Sequence, residues 1–220
     1  MNDRLQDVFW KEEYAGEYAA RNSNFDNNLG MHGWQKMLAK AIFERKTYLE
    51  VGCNIGRNLD QLQLLDPDLR PSVIEINPKA LSYTQSNHAL CRSYCGPAQE
   101  AAFEENSFEL VFTAGVLIHI SPDDLLAVMR KMHEWSSKYI LIAEYFNRTP
   151  TTIDYQGRPN MLFKRDFGGM FIDHFPVKCI DYGFLWGRIY DAAGFDDITW
   201  WLFEKMDTIP SHADSLAGLT

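Results

Sequence analysis

The stretch Thr47–Asn58, TYLEVGCNIGRN, constrains this chain more than any other. Tyr48, Leu49 and Val51 make a short apolar run suited to a buried strand. Gly52 and Gly56 then interrupt the chain, and Asn58, Leu59, Leu62 and Leu65 recur at helical spacing. The order is strand, glycine turn, helix. Such a turn aims free backbone N–H groups and a helix N-terminus at whatever lies above the strand, so an anionic group binds there without a basic side chain. Glu50, at the end of the strand, suits a cationic or hydroxyl-bearing group nearby.

A dinucleotide fold needs G-x-G-x-x-G. Here Gly52-Cys53-Asn54-Ile55-Gly56 lacks the middle glycine, and Arg57 stands where the last would fall. Close approach of a pyrophosphate is therefore poorly served. The acid-x-Gly-x-x-x-Gly turn instead resembles motif I of the class I S-adenosylmethionine (SAM) methyltransferases. Asn54 stands where that family has glycine or alanine, and a small polar residue tolerates a tight turn.

The 220 residues suffice for one sizeable domain with a proper core. The formal net charge of −9 repels a phosphate backbone on average, which argues against DNA or RNA as partner. No apolar run approaches the ~20 residues of a membrane span. The polar, acidic start MNDRLQDVFW does not read as a signal peptide. Cys53, Cys91, Cys95 and Cys179 show no disulfide framework, so a reducing cytoplasm is the simplest setting. His88, Cys91 and Cys95 lack a fourth ligand, and buried thiols explain these cysteines better than a metal.

Residues 3–20 read as a helix, a polar loop follows, and Met31–Phe43 is an amphipathic helix with Trp34, Met37, Leu38, Ala41 and Ile42 on one side. These helices, residues 1–46, are expected to form a lid. Residues 47–206 form the main domain, with strands at Ser72–Ile76, Cys91–Cys95, Phe108–Thr113 and Tyr139–Ala143. Helices are expected over Lys79–Ala89 and Pro122–Trp135, the second with Leu125, Leu126, Val128, Met129 and Met132 inward. Alternating strands and helices imply a parallel sheet covered on both faces. Phe146–Pro159 reads as a polar connection and Leu162–Phe175 as a helix weakened by Gly168-Gly169. Lys178–Trp186 and Ile198–Phe203 fit a long hairpin at the sheet edge, and residues 207–220 a tail. Trp200, Trp201 and Phe203 are expected to pack the sheet on a helix, with a homodimer surface as the alternative to a monomer.

Several candidate site residues follow. Glu75, with Ile76 after it, ends the second strand, where an acid beside the first glycine turn accepts both hydroxyls of a ribose. The resemblance to the class I methyltransferases implies that the loop Gly96-Pro97-Ala98-Gln99 meets an adenine ring through the Ala98 backbone or the Gln99 amide, with Pro97 where an aspartate is common. Ala114, Gly115 and Val116 let the backbone approach a bound group closely. His119, just beyond them, is the candidate general base, with Glu144 and Tyr145 as rivals. Phe9, Trp10, Tyr14, Tyr18, Arg21 and Asn22 combine aromatic area with one cation. Closed over the site, the aromatics would face a sulfonium and Tyr18 or Arg21 would hold a carboxylate. Lys164-Arg165, with Arg158 upstream, is the best basic cluster for an acidic sugar or a nucleotide phosphate.

The blocks YLEVGCNIGRNLDQL, SVIEINPKAL, FELVFTAGVLIHISPDDL, YILIAEYFNRTP, LFKRDFGG and DYGFLW, with FW…EY…RNS before them, resemble the methylases associated with pseudaminic acid biosynthesis. That resemblance implies a Rossmann-like three-layer sandwich whose seven-stranded, mostly parallel sheet ends in an antiparallel hairpin strand. It implies SAM as donor, S-adenosylhomocysteine as product and a small anionic sugar as acceptor: a nonulosonic acid, its precursor or its nucleotide-linked form. Glu50, Gly52, Asn54, Gly56, Asn58, Glu75 and Ile76 are then cofactor contacts, together with Ala98, Gln99, Ala114, Gly115 and Val116. Tyr18, Arg21, Lys164 and Arg165 are substrate contacts. A nicotinamide-dependent oxidoreductase or epimerase of sugar nucleotides, and a non-catalytic SAM-binding module, are the competing functions.

Overall fold

The computed structural model describes residues 5–13 and 25–208. Five strands alternate with helices as the periodicity requires: β1 (Thr47–Val51), β2 (Arg70–Glu75), β3 (Arg92–Cys95), β4 (Phe108–Ala114) and β5 (Ser136–Glu144). Two more, β8 (Val177–Leu185) and β9 (Ile198–Lys205), complete a seven-stranded sheet in the order β3-β2-β1-β4-β5-β9-β8. β9 runs antiparallel to both neighbours, while the pairs from β3 to β5 are parallel. The strand order reverses between β1 and β4, which opens a crevice at their carboxyl ends where such sheets receive ligands.

Alternate residues of the central strands face opposite layers. Leu49, Val111, Ile140 and Ile142 pack with Leu125, Val128, Met129, Met132 and Trp135 of α4 (Pro122–Trp135) and with Phe167 and Phe171 of α5 (Phe167–His174). Tyr48, Leu110, Phe112 and Leu141 pack on the other side with Trp34 and Met37 of α1 (Asn27–Met37) and Leu62 of α2 (Arg57–Leu65). Over β2, Leu81 of α3 (Pro78–Asn87) meets Val73. Leu126 belongs to none of these layers: it is exposed, against the expectation that it points inward.

Three expectations need correction. The second N-terminal helix starts at Asn27 because the Asp26 side chain accepts from Leu29 N–H at 2.9 Å, an N-cap. It stops at Met37, because beyond Leu38 the chain turns away and the backbone N–H groups of Glu44, Arg45 and Lys46 are taken by the Glu109 carboxylate at 2.8 Å each. Trp34 and Met37 are fully buried, so this helix is a layer of the body, and Leu5–Glu13 is the segment that precedes it among the described residues. That segment is not one continuous helix: a turn of α-helix, Leu5–Val8, runs into a π-helical turn, Phe9–Glu13.

The largest correction concerns residues 146–175. Instead of a loop and a long helix, the chain forms a separate antiparallel arm, β6 (Thr151–Tyr155) and β7 (Arg158–Lys164), before α5. Gln156 and Gly157 both have positive φ, 52° and 75°, which is the handedness a two-residue hairpin turn needs. The helix begins only at Phe167, where Asp166 caps it by accepting from Gly169 N–H at 2.8 Å. Trp200, Trp201 and Phe203 are buried in the sheet, as expected.

Candidate active site

The pocket lies over the carboxyl ends of β1, β2 and β4. Val51, Gly52, Asn54 and Asn58 line it from the first turn, Glu75 and Ile76 from the second strand end, and Gly96, Pro97, Ala98 and Gln99 from the loop after β3. Ala114, Gly115, Val116 and His119 follow from β4. The sequence reading therefore brings most of its cofactor candidates to one place. Glu50 and Gly56 stand behind the lining rather than in it.

The first turn is stitched to β2. Gly52 and Cys53 N–H both donate to Ile74 O, at 2.8 and 3.1 Å. Asn54 N–H donates to Glu75 Oε2 at 2.7 Å and Asn77 N–H to Glu75 Oε1 at 2.8 Å. Glu75 thus holds both turns with its carboxylate while each oxygen keeps a further lone pair for a hydroxyl. Burial pushes its pKa up, against the backbone N–H donors that lower it. Gly52 has φ +80°, and a Cβ there would sit 2.5 Å from the Val116 side chain, so no other residue fits this bend. Asn54 takes the left-handed conformation too, with φ 48°, which asparagine adopts more readily than most residues.

Behind the turn, Asn58 Nδ2 donates to Glu50 Oε1 at 2.6 Å. Glu50 Oε2 is buried without a hydrogen-bond partner, and so is Asn54 Oδ1. Burial raises the Glu50 carboxyl to about 8, so a nearby cation would stabilise its ionised form. Arg57 also lines the pocket. It donates to Gly194 O at 3.0 Å and to Asn58 Oδ1, and its guanidinium lies over Phe25.

His119 sits on the turn Leu117–His119, which Glu144 holds in place. The Glu144 carboxylate accepts from the N–H groups of Val116 (3.0 Å), Leu117 (2.9 Å) and Ile118 (3.3 Å) and from the Thr113 hydroxyl (3.3 Å). It is fully buried and does not line the pocket, so Glu144 is a support for this turn and not a base. His119 Nδ1 lies 2.9 Å from Met161 O, which can only accept. The proton therefore belongs on Nδ1, and Nε2 carries the lone pair. Burial lowers this imidazole to about 4, which keeps it neutral near pH 7.

Tyr145 lines the pocket, with its hydroxyl 3.4 Å from Asp196 Oδ2. Lys164 and Arg165 do not line it: Lys164 Nζ rests on the Tyr145 ring at 4.9 Å and the Arg165 guanidinium on Phe163 at 5.6 Å. Tyr14, Tyr18, Arg21 and Asn22 lie outside the described residues. Trp10 does line the pocket, and its ring packs on His119. Sequence reasoning missed Arg57, Tyr155, Leu162 and Asp196 as lining residues. Arg57 was within reach, one residue past the second glycine, but the others come from the hairpin arm and the loop before β9. Among the described residues no cluster of three or more His, Cys, Asp or Glu side chains is arranged to hold a metal ion, and no helix is long and apolar enough to cross a membrane.

Residues 49–138 match the family model described as a methyltransferase domain. The solved structure of the 1,6-didemethyltoxoflavin N1-methyltransferase of Burkholderia thailandensis, with 1,6-didemethyltoxoflavin and S-adenosylhomocysteine bound, is similar over 92% of this chain and 88% of its own, with TM-score 0.65 and 13% identity. The magnesium protoporphyrin IX methyltransferase of Synechocystis PCC 6803, with SAM bound, is similar over 94% of this chain and 100% of its own, with TM-score 0.67 and 10% identity. The cyclase SpnF is equally similar in fold, with TM-score 0.67 and 10% identity over 92% of this chain and 97% of its own. No curated protein matches the sequence. Residues 49–138 thus resemble a methyltransferase domain, and the chain has the fold of the class I SAM-dependent methyltransferases. Two of these similar structures hold SAM or its product S-adenosylhomocysteine.

Proposed function

We propose that this chain transfers the methyl group of SAM to a small polar acceptor of the sugar type: a pseudaminic-type nonulosonic acid, its precursor or its nucleotide-linked form. The observation that carries the donor is Glu75, buried beside the first glycine turn among the residues that line the pocket. The acceptor class rests on the sequence blocks that resemble the methylases of that pathway. The setting is the cytoplasm, with the chain as a monomer or homodimer.

The pocket's residues divide the work. Glu75 takes the ribose hydroxyls, and the Ala98–Gln99 segment meets the adenine. Asn54 Oδ1 at the lining and Glu50 Oε2 just behind it, both lacking a partner, supply negative charge for the ammonium end of the cofactor. Gly115, with φ +72° and no atom within 4 Å of where a Cβ would be, leaves space for the bound nucleoside. When bound, SAM supplies an electrophilic methyl on a sulfonium, so the protein's task is alignment and exclusion of water. His119 Nε2 accepts a hydrogen bond from the acceptor hydroxyl and takes its proton as the new bond forms. An imidazole with pKa near 4 is unprotonated and ready at pH 7, but it is a weak base. Its larger contribution is therefore to orient the acceptor oxygen. Tyr145 is a second acceptor contact. Tyr18 and Arg21 are the candidates for holding an acid group of the acceptor, and Leu5–Glu13 acts as the lid.

Calorimetry against SAM and NAD, followed by transfer of a labelled methyl group to a panel of sugars, tests this. Binding of NAD in preference to SAM would point to an oxidoreductase. Binding of SAM with no labelled product would leave a binding module.

A further inference from the structure

The connection from β8 to β9 reaches the pocket at its end, where Gly194, Phe195 and Asp196 line it. Tyr145 lines it from the end of β5. These residues share one corner, because β5 pairs with β9 and Glu144 stands opposite Thr199. Glu75 and the Ala98–Gln99 segment lie on the other side of β1, toward the β3 edge of the sheet. With the nucleoside proposed there, the methyl acceptor lies over β4, β5 and β9. The rings of Trp10 and Tyr155 pack on His119 in the same pocket, with centroids 4.6 and 5.1 Å away.

The helix that follows the first glycine turn holds this loop. Arg57 Nη1 donates to Gly194 O and Gln61 Nε2 to Ala193 O, both at 3.0 Å. The two donors stand at i and i+4 on α2, so they project from one face. Gln61 is fixed in turn by Trp34, whose Nε1 donates to its Oε1 at 3.1 Å. The Arg57 guanidinium lies over Phe25 at 5.0 Å and over Phe195 at 5.7 Å. Its Nε and Nη2 donate to Asn58 Oδ1 at 3.3 and 3.2 Å, and Asn58 is the residue that donates to Glu50. A hydrogen-bonded path thus runs from the proposed ammonium site to the loop. At the loop's far end Asp197 Oδ1 accepts from Gly187 N–H at 2.8 Å.

Asp196 stands between two left-handed residues, Gly194 at φ 82° and Asp197 at φ 48°, which bend the chain so that an exposed carboxylate meets the pocket. Its Oδ2 accepts from the Tyr145 hydroxyl at 3.4 Å. An ionised carboxylate offers about four acceptor positions, so this single long contact leaves room for a donor from a bound molecule. A sugar presents such donors as hydroxyl O–H and acetamido N–H groups. The acid group of a nonulosonic acid would lie clear of Asp196, at the end for which Tyr18 and Arg21 are the candidates.

We propose that Asp196 binds the acceptor by taking an O–H or N–H donor from it, and that Arg57 is the positioning residue that sets Asp196 from the donor helix. The assignment rests on the methyltransferase reading of the pocket and deepens it, by naming the group that reads the hydroxyl or acetamido side of the acceptor.

The test uses the full chain, with S-adenosylhomocysteine affinity read by calorimetry and N-acetylneuraminic acid titrated onto the loaded chain by saturation-transfer NMR. That sugar carries hydroxyls, an acetamido N–H and a carboxylate. Asp196→Ala should weaken it about tenfold or more, the loss of a hydrogen bond to a charged group, while S-adenosylhomocysteine affinity stays within about twofold. Arg57→Ala should weaken the sugar about tenfold in the otherwise native chain but about twofold or less in the Asp196→Ala chain, where nothing is left to position. Arg57→Lys keeps a donor for Gly194 O and should bind the sugar within about threefold of the native chain. Unchanged or tighter sugar binding by Asp196→Ala overturns the proposal. Equal losses for Arg57→Ala in both chains, or a loss in Arg57→Lys as large as in Arg57→Ala, overturn the positioning role. Failure of the native chain to bind S-adenosylhomocysteine overturns the donor reading, and failure of the loaded chain to bind the sugar overturns the acceptor reading, each taking the proposal with it.

Discussion

At the ends of β1 and β2, the proposed cofactor groups Glu50, Asn54, Asn58 and Glu75 all come from one strand–turn–helix unit and the strand beside it. Across the pocket the lining residues Trp10, His119, Tyr155, Leu162 and Asp196 come from positions spread over nearly the whole chain. The first half is held mostly by backbone N–H groups on a carboxylate, the second by ring packing and by single hydrogen bonds such as His119 to Met161 O. The difference teaches that the proposed donor side is a local motif, whereas the proposed acceptor side exists only when four separate segments meet.

Four measurements break or sharpen that contrast. The largest effect is expected for Glu75→Ala. It removes the acceptor of both Asn54 and Asn77 N–H, so SAM affinity should fall by about a hundredfold or more by calorimetry, with a lowered melting temperature. A small loss of affinity would mean that the donor half does not depend on this carboxylate. Next is His119→Ala, which should lower turnover about a hundredfold while SAM affinity stays within about twofold. If turnover is unaffected, His119 is not the group that takes the proton.

A pH series comes third. Glu50 is raised to about 8 in the free protein, and a bound ammonium favours its ionised form, which lowers that value in the complex. The free protein then holds the extra proton, so affinity for SAM should rise with pH between 5.5 and 7.5 by up to about tenfold per unit. Glu50→Gln should remove that slope, and a slope that persists in the variant belongs to another group. Smallest of all are Lys164→Ala and Arg165→Ala, both off the pocket lining, which should change acceptor KM by about twofold or less, in the range of ordinary surface substitutions. A larger loss would bring the hairpin arm's cations back into the acceptor site.

The hairpin arm shows why half of the site was hard to read. Its first strand is mostly exposed, so Thr151–Tyr155 carries no apolar alternation, and Pro159 and Asn160 break the pattern of the second. The turn Gln156-Gly157 has the required geometry with an uncommon first residue. Met161, Leu162 and Phe163 are buried together, which in one dimension looks like the start of the helix that begins at Phe167. Glu144 misled for a related reason. An acid at a strand end reads as a candidate base until the N–H groups of Val116, Leu117 and Ile118 are seen to take both of its oxygens.

By itself the sequence determined the alternating sheet, the glycine turn and the pairing of that turn with Glu75, because strand periodicity, left-handed glycines and helix caps act over a few residues. Only the tertiary structure decided that Trp10, His119 and Tyr155 share a wall, and that Glu144 supports while Lys164 stands aside. Those outcomes depend on which surfaces meet after the chain has closed on itself, and no spacing along the chain encodes such a distance.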